Sequence, residues 1–328
     1  MPADPPRLYT DKFTFCSGMC SIGEAGSNHP EAFAAMAKVT DICGLILKTP
    51  KLAPSIEFYE KCWGLERIEH PGTDTIFFKG ASNEPFIFGL EPGERRSVAM
   101  IRFTLDSAAA VDSMHDDLKA ADVEILKAPD LLQLPGNYYG FQFKDPDGTP
   151  VELSTLDDGV PADTPGEGFL PQRLSHMVLN SPDNRALRDF YVRYLGFELA
   201  DWYAKDAFFF LRCNEQHHCL GLEKCDNSSL NHVAFLLEDL DAMMRFAGRM
   251  ANMGITPLWG PGRHGPGGNC FCYFEDPAGY VLEATSELIF IPRGDQWTPR
   301  EWQPGPENAN VWLTGGRTER AIQLMSNH

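Results

Sequence analysis

Two histidines and one glutamate stand at matched places in a chain that repeats itself. His176 and His232 each lie near the start of an apolar, strand-like segment, and Glu283 lies among Val, Leu and Ala residues. One such histidine alone would indicate a core or capping residue. A carboxylate in so apolar a setting needs a partner, because burying a bare charge is costly. Two imidazoles and one carboxylate facing one interior form a facial triad, which leaves open positions on a divalent metal such as Fe(II).

The stretch from residue 260 to 283 has the densest pattern of candidate functional residues. It reads GPGRHGPGGNCFCYFEDPAGYVLE, and its glycines and prolines predict an irregular loop up to residue 268. Residues 269–275 alternate like a strand, with Cys270, Cys272 and Phe274 on one face and Phe271 and Tyr273 on the other. The Asp-Pro-Ala-Gly at 276–279 predicts a turn, and residues 280–286 a second strand that carries Glu283.

The joint spacing of these residues resembles the signature of type I extradiol ring-cleavage dioxygenases, in the vicinal oxygen chelate superfamily. It is carried here by Gly262, His264, Tyr273, Asp276, Pro277, Gly279 and Glu283. Cys272 replaces the aliphatic residue or Phe usual before the tyrosine, and cysteine packs as a small hydrophobe. The resemblance covers residues 41 to about 290, with its specific motifs within 173–287.

The resemblance implies a set of roles. His176, His232 and Glu283 would be the ligands of Fe(II), with Mn(II) possible, and no organic cofactor is needed. His264 and Tyr273 would donate hydrogen bonds to charge developing on substrate oxygens. The substrates would be a catechol-type diol and O₂, and the ring would open beside the diol to a muconic semialdehyde-type product, in aromatic catabolism.

A histidine pair precedes the fourth repeat. The family carries an acid–base histidine just before an apolar run, and aligned on that run His218 is the better match. His217 is its neighbour, and on a strand it would point to the opposite face. A histidine with a pKa near neutrality suits both accepting and returning a proton. The choice between His218 and His217 stays open at this point.

Other activities are compatible with the same architecture. A 4-hydroxyphenylpyruvate-type dioxygenase shares the two-half arrangement, but it lacks the His264 and Tyr273 pair. A glyoxalase-like isomerase, or a non-enzymatic ligand-binding protein of the bleomycin-resistance kind, would leave several histidines without a use. Aromatic residues in the catalytic half, including Trp259 beside the loop, favour an uncharged aromatic diol as substrate.

An internal repeat predicts the fold. Strand, helix and three further strands start near residues 41, 98, 173 and 230. This predicts an α+β protein of four βαβββ modules in two similar halves, each a curved mixed sheet enclosing a cavity. The expected boundaries are an N-terminal arm (1–40), a degenerate non-catalytic half (41–156), a linker (157–172), a catalytic metal-binding half (173–288) and a C-terminal tail (289–328).

The first half provides an internal control for the metal site. Aligning the repeats puts Gly44 opposite His176, Met100 opposite His232, and Glu152 opposite Glu283, with Gln142 opposite Tyr273. The first half therefore keeps the glutamate and lacks both histidines. We expect it to bind no metal, and Glu152 shows that this glutamate alone is weak evidence for a metal.

Composition narrows the partners and the compartment. The 328 residues carry a net charge of −18, which disfavours binding to nucleic acid. The sequence lacks an N-terminal signal and an apolar run near 18 residues, so no membrane association is expected. Nine cysteines without a Cys-x-x-Cys pattern are typical of reduced thiols in a cytoplasmic protein. We expect a homo-oligomer, with the arm packing on the body or on a neighbouring subunit.

The C-terminal tail is rich in proline yet carries three tryptophans. Residues 296–313 are predicted to follow the fourth module too late to join its sheet. Trp297, Trp302 and Trp312 are large apolar groups that a solvated tail has little reason to carry. We expect the tail to fold over the mouth of the second cavity and exclude water. The alternative is that these tryptophans pack on the outside of the sheet or at a subunit contact.

Overall fold

The computed structural model describes residues 37–156 and 168–326. The predicted arm, up to residue 36, and most of the predicted linker, residues 157–167, lie outside the described residues. The first half comprises β1 (Asp41–Thr49), α1 (Leu52–Phe58), β2 (Glu66–Ile68), β3 (Ile76–Lys79), β4 (Phe88–Pro92), β5 (Ser97–Thr104), α2 (Ala108–Ala120), β6 (Ile125–Leu131), β7 (Tyr138–Lys144) and β8 (Pro150–Leu156).

The second half repeats the same order and adds a short tail. It comprises β9 (Arg173–Ser181), α3 (Asn184–Leu195), β10 (Glu198–Tyr203), β11 (Phe208–Arg212), β12 (Leu220–Lys224), β13 (Ser229–Leu236), α4 (Leu240–Asn252), β14 (Trp259–Arg263), β15 (Cys270–Glu275), β16 (Val281–Ser286), β17 (Arg300–Trp302), α5 (Pro306–Ala309) and α6 (Glu319–Met325). Four βαβββ modules in two halves are therefore confirmed.

Local sequence accounts for the helix ends. The side chains of Ser107, Asp183 and Asp239 each accept a hydrogen bond from a backbone N–H in the first turn of α2, α3 and α4. After α1 the chain continues into a π-helical turn, Tyr59–Trp63, which ends at Gly64. Gly64 adopts a φ of 85°, in the left-handed region that glycine tolerates best.

The two sheets have matching topology. The first runs in the order β2-β3-β4-β1-β5-β8-β7-β6, and the second runs β14-β15-β16-β13-β9-β12-β11-β10-β17. In each sheet the first strands of two modules pair antiparallel at the centre, as β1 with β5 and β9 with β13. Each central strand also has a parallel neighbour, β4, β8, β12 or β16. The interior of each half therefore lies along its central strand pair.

The halves interlock through pseudo-symmetric contacts. The Tyr59 hydroxyl donates to Asp276 in the second half at 3.2 Å, and the Tyr191 hydroxyl donates to Asp145 in the first half at 3.3 Å. Both aspartates begin the Asp-Pro-x-Gly turns of the repeat. Trp63 is fully buried and packs edge-on against Phe235, Phe246 and Phe274 of the second half.

Two predictions about regular structure were wrong. The glycine-rich segment begins with a strand, β14, because this strand is at the edge of the sheet, where proline and a register shift are tolerated. The tail also joins the sheet: β17 pairs in parallel with β10, matching Asp201 with Arg300 and Tyr203 with Trp302. In the described part of the chain, no helix is long and apolar enough to cross a membrane.

Candidate active site

Strand register brings the three predicted ligands together. On β9 His176 lies opposite Ala234 of β13, and Ala234 lies beside Glu283 of β16. A register shift in β13 follows Leu230, and His232 lies opposite Val178 of β9. The side chains thus converge from three adjacent strands, which is why residues separated by up to 107 positions meet.

The geometry of the three side chains is that of a compact donor set. Nε2 of His176 lies 3.0 Å from Oε2 of Glu283, and Nε2 of His232 lies 3.2 Å from the same oxygen. One donor atom from each residue lies within 4.8 Å of the other two, and all three residues are buried. His232 Nε2 has no well-aligned hydrogen bond despite its burial. A buried nitrogen of this kind, beside two further donors, fits a divalent metal that takes imidazole and carboxylate ligands.

Polar neighbours orient the donors. Nδ1 of His176 lies 3.1 Å from the Ser175 hydroxyl, and Nδ1 of His232 lies 2.8 Å from the Asn231 side-chain oxygen. Those contacts occupy the outer ring nitrogens and leave both Nε2 atoms directed at Glu283. The other oxygen of Glu283 accepts a hydrogen bond of 3.1 Å from the side-chain amide of Asn269.

Electrostatics favour an ionised Glu283 and a neutral His232. Burial alone would raise the pKa of Glu283, but His176 and His232 outweigh it and hold that pKa well below its usual range. Burial lowers the pKa of His232, and the nearby carboxylate opposes the change only in part. An anionic carboxylate and neutral imidazole nitrogens are the protonation states in which these groups bind metal.

His218 and His217 lie side by side, and only the first lines the cavity. The ring of His218 is 4.5 Å from the ring of His176 and 5.1 Å from Phe210. The prediction that His217 would point to the opposite face is correct only in that His217 does not line the cavity; its Nδ1 still lies 3.1 Å from Nδ1 of His218. Strand alternation does not apply there, because β12 begins only at Leu220.

The environment of His218 is close-packed. Burial lowers the pKa of His218 well below its ordinary value, and His176 and His217 add to that effect. The imidazole is therefore neutral and can accept a proton at neutral pH, whereas the sequence suggested a pKa near neutrality. Gly267 has a φ of 76°, and a side chain there would come within 3.0 Å of the His218 ring.

Tyr273 and His264 form a hydrogen-bonded pair at the cavity wall. Nε2 of His264 lies 3.1 Å from the Tyr273 hydroxyl, and Nδ1 of His264 lies 2.7 Å from the carbonyl of Ala309. A carbonyl only accepts, so Nδ1 carries the proton and Nε2 of the neutral ring accepts from Tyr273. Burial lowers the pKa of His264 to about 4 and raises that of Tyr273 well above its usual value. In this arrangement Tyr273 is a donor and His264 is an acceptor, and donation by either residue to a substrate oxygen stays a prediction.

The site opens into a cavity of about 610 Å³. Apolar and aromatic side chains line much of it, among them Val178, Phe208, Phe210 and Trp259. The tail supplies another wall through residues between Pro304 and Arg317. A cavity of this size, lined by apolar groups with a few convergent polar ones, is typical of a small-molecule site.

The structure adds residues that the sequence reasoning missed. Glu223 lines the cavity, and its carboxylate accepts a 2.7 Å hydrogen bond from the Asn231 side chain. Burial raises the pKa of Glu223, and Arg317, from the tail, opposes that shift. Asn231 could have been suspected as the neighbour of His232, but no pattern singles out Arg317. The cavity is thus less uniformly apolar than the aromatic content suggested.

The same registers in the first half carry different side chains. Gly44 lies opposite Arg102, and Arg102 lies beside Glu152, as His176, Ala234 and Glu283 do in the second half. The alignment of Gly44 and Glu152 with His176 and Glu283 therefore agrees with the pairing. Arg102 is fully buried, and its Nε donates to Glu152 at 2.7 Å. Among the described residues, the three donors of the second half are the sole cluster suited to a metal.

Known proteins resemble this chain over most of its length. Metapyrocatechase 2 from Cupriavidus necator is 29% identical over 272 residues, which cover 76% of this chain and 82% of that protein. A manganese-dependent 2,3-dihydroxybiphenyl 1,2-dioxygenase from Geobacillus genomosp. 3 is 27% identical, covering 81% of this chain and 91% of that one.

A solved structure agrees with the fold. The Mn(II)-bound glyoxalase from Novosphingobium aromaticivorans superposes with a TM-score of 0.80 at 32% identity, over 87% of this chain and 94% of that one. The family model for the Glyoxalase/Bleomycin resistance protein/Dioxygenase superfamily matches residues 44–153 and again residues 173–284, one match for each half. The chain therefore belongs to the Glyoxalase/Bleomycin resistance protein/Dioxygenase superfamily.

Proposed function

We propose that this protein is an extradiol ring-cleavage dioxygenase, which inserts both atoms of O₂ into a catechol-type diol. The observation that carries the proposal is the buried facial triad of His176, His232 and Glu283, which lies on the wall of a large, mostly apolar cavity beside a neutral histidine. Relatives named as catechol and biphenyl-diol dioxygenases support the same reaction. The ring bond beside the diol would break, giving a semialdehyde.

The three donors would hold a divalent metal. When bound, the ion supplies open coordination positions and the electron transfer that couples the diol to O₂. Fe(II) is the metal we propose, and Mn(II) suits the same donors. The relative from Geobacillus genomosp. 3 is a manganese-dependent dioxygenase. The choice between the two metals depends on availability as well as on geometry.

The other side chains would handle protons and position the ring. His218 would take a proton from the diol, because its neutral imidazole lines the cavity beside His176. Tyr273 would redirect its hydroxyl from His264 to a substrate oxygen and stabilise the negative charge that develops there. The apolar wall and the tail would exclude water from the reacting groups.

An oxygen electrode and a spectrophotometer test the proposal together. We expect purified, Fe(II)-loaded protein to consume one O₂ per catechol-type diol and to form a yellow ring-opened semialdehyde. A colourless dicarboxylic acid would indicate cleavage between the hydroxyls, and homogentisate formed from 4-hydroxyphenylpyruvate would indicate the other dioxygenase class. Isomerisation of a hemithioacetal without O₂ uptake would indicate a glyoxalase-type activity.

Assembly and compartment stay predictions. We propose a cytoplasmic location, on the basis of the cysteine content and its spacing, and a homo-oligomeric assembly. The domain boundaries given by the repeat also stay a proposal, with the modification that the tail adds a strand to the catalytic half. Size-exclusion chromatography with light scattering would measure the oligomeric state.

A further inference from the structure

A buried chain of polar groups leads away from His218, behind the cavity wall. Nδ1 of His218 lies 3.1 Å from Nδ1 of His217. Nε2 of His217 lies 3.2 Å from Oδ2 of Asp201, a close contact that is not well aligned as a hydrogen bond. His217 and Asp201 are 0% and 1% exposed, so solvent does not satisfy these groups. A buried carboxylate that ends a chain of two imidazoles is costly unless it is well paired.

The tail completes the pairing of Asp201. The backbone N–H of Arg300 donates to Oδ1 at 3.0 Å, and the indole N–H of Trp302 donates to Oδ2 at 2.7 Å. Both residues belong to β17, which pairs with β10 at Asp201. Burial would raise the pKa of Asp201, but the nearby His217 and the hydrogen bond from Trp302 outweigh it and lower that pKa. Asp201 is therefore ionised and only accepts.

With His217 neutral, the anion sets the direction of every proton in this chain. Because Asp201 only accepts, the nitrogen of His217 that faces it, Nε2, carries the hydrogen. Nδ1 of a neutral His217 is then bare and accepts from Nδ1–H of His218. Nε2 of His218 is left without a hydrogen, as a proton acceptor in the cavity requires.

The first half lacks the whole arrangement. By strand pairing, Phe86 occupies the position of His218, Pro85 that of His217 and Ile68 that of Asp201. In the described residues the first sheet also has no counterpart of β17, since it ends at β2, the equivalent of β10. The polar chain and the candidate base are thus present together in one half and absent together from the other.

We propose that Asp201 and His217 are positioning residues for His218, and that β17 holds Asp201 in place. They fix the tautomer and orientation of the base, so that its bare Nε2 meets the diol hydroxyl. This inference rests on the proposed function. The tail therefore supports catalysis from behind the site, through Trp302, and also lines the cavity.

Double variants test whether Asp201 acts through His218. We expect Asp201→Asn to lower kcat about tenfold, a fraction of the usual value of a positioned acid–base group, with KM within threefold of wild type and metal content unchanged. In the His218→Phe background the same change should cause no further loss, because the base it positions is gone. Equal losses in both backgrounds, or loss of metal, would overturn the proposal.

Conservative replacement of His217 gives a second, independent measurement. A glutamine side chain can donate to Asp201 and accept from His218, whereas leucine can do neither. We expect His217→Gln to keep most of the kcat that His217→Leu loses. Equal kcat values for the two variants would contradict a relay role and would indicate that the residue only fills space.

Two controls distinguish a failure of the proposed positioning role from a failure of the proposed function. Asp145→Asn changes a buried aspartate of the first half that no step uses, and it should leave kcat unchanged. Wild-type protein that cleaves no catechol-type diol would mean that the proposed function itself fails. Wild-type activity together with an unchanged kcat in Asp201→Asn would mean that only the relay fails.

Discussion

The two halves of this molecule stabilise a buried glutamate in two different ways. Each places a buried glutamate, Glu152 or Glu283, at the same register of its central sheet. In the first half the countercharge belongs to a side chain of the protein: Arg102 lies on the neighbouring strand and pairs with Glu152 at 2.7 Å. In the second half Ala234 takes the place of the arginine, and two histidines surround the carboxylate. The first arrangement leaves no position for a metal, while the second provides one.

The two halves also differ in the side chains that fill the space beside the glutamate. A side chain at Gly44 would meet the Arg102 guanidinium at 3.2 Å, so the glycine makes room for the arginine where the second half has His176. The guanidinium also stacks over Phe86 and Tyr138, at 4.3 and 4.5 Å from the ring centres. Gln142 donates to Glu152 at 3.0 Å, in the position where Tyr273 meets the other glutamate. The interior of the first half is thus filled by its own side chains.

Both halves of the fold carry the buried glutamate, whereas only the half with the candidate metal site carries the two histidines. An internal cation satisfies a buried carboxylate as well as a metal does, but it leaves no open position for a substrate. A half without a metal site therefore need not be less stable, provided that one of its own side chains supplies the countercharge.

The largest expected effect is the loss of turnover when the candidate base, His218, is replaced by the residue found at the matched position of the first half. His218→Phe installs the residue that the first half carries, Phe86, at the matched position. Since the proton acceptor is removed while the ligands remain, turnover should fall by roughly 10²–10⁴ with metal content unchanged. Oxygen uptake and metal analysis on the same preparation measure both quantities. His217→Phe should cost much less, and the reverse ranking would exchange the roles of the two histidines.

The next effect is on stability and tests the internal cation. Arg102→Met leaves Glu152 buried without its countercharge, which should lower the free energy of unfolding by about 3–5 kcal/mol in urea titrations. The double variant Arg102→Met with Glu152→Leu should recover much of that loss, because both charges are removed. Metal content should stay at the wild-type level in both. A stable single variant would show that Glu152 has another partner.

The smallest expected effect is on the pH dependence of stability, through the aspartates that begin the two Asp-Pro-x-Gly turns. Burial raises the pKa of Asp145 to about 7 and that of Asp276 to about 6. The folded state therefore binds more protons than the unfolded state from about pH 4 up to those values, so the free energy of unfolding should fall as pH rises through this window. Asp145→Asn should remove part of that fall, on the order of 2 kcal/mol, measured by urea titration at pH 5 and 8. An unchanged pH dependence would show that the carboxyl is ionised throughout.

Much of this fold could be predicted because the sequence pattern of the first half recurs in the second half. The repeat starts predicted all four modules, and the spacing of His264, Tyr273 and Glu283 indicated where the site lies. Alternation also assigned the faces of β15 correctly: Cys270 and Cys272 pack in the large core, and Phe271 and Tyr273 belong to a second cluster. Period and alternation are visible in sequence because they involve neighbouring residues.

The remaining features depend on contacts between distant segments. β17 has only three residues and is held by the Asp201 side chain, so it shows no strand pattern of its own. Arg102 reads as a polar strand residue until its register beside Glu152 is known. The direction of His217 was predicted from strand alternation, but the segment before β12 is irregular. Tertiary contacts decide all three.

In this account the second half binds a metal through His176, His232 and Glu283. In the first half Arg102 neutralises the buried Glu152, and no metal binds. Metal analysis of the purified protein after reconstitution with Fe(II) or Mn(II), for wild type and His176→Ala, tests it most directly. We predict one ion per wild-type chain and a loss of that ion, together with all diol cleavage, in His176→Ala. Two ions per wild-type chain, or stoichiometric metal retained by His176→Ala, would contradict the account.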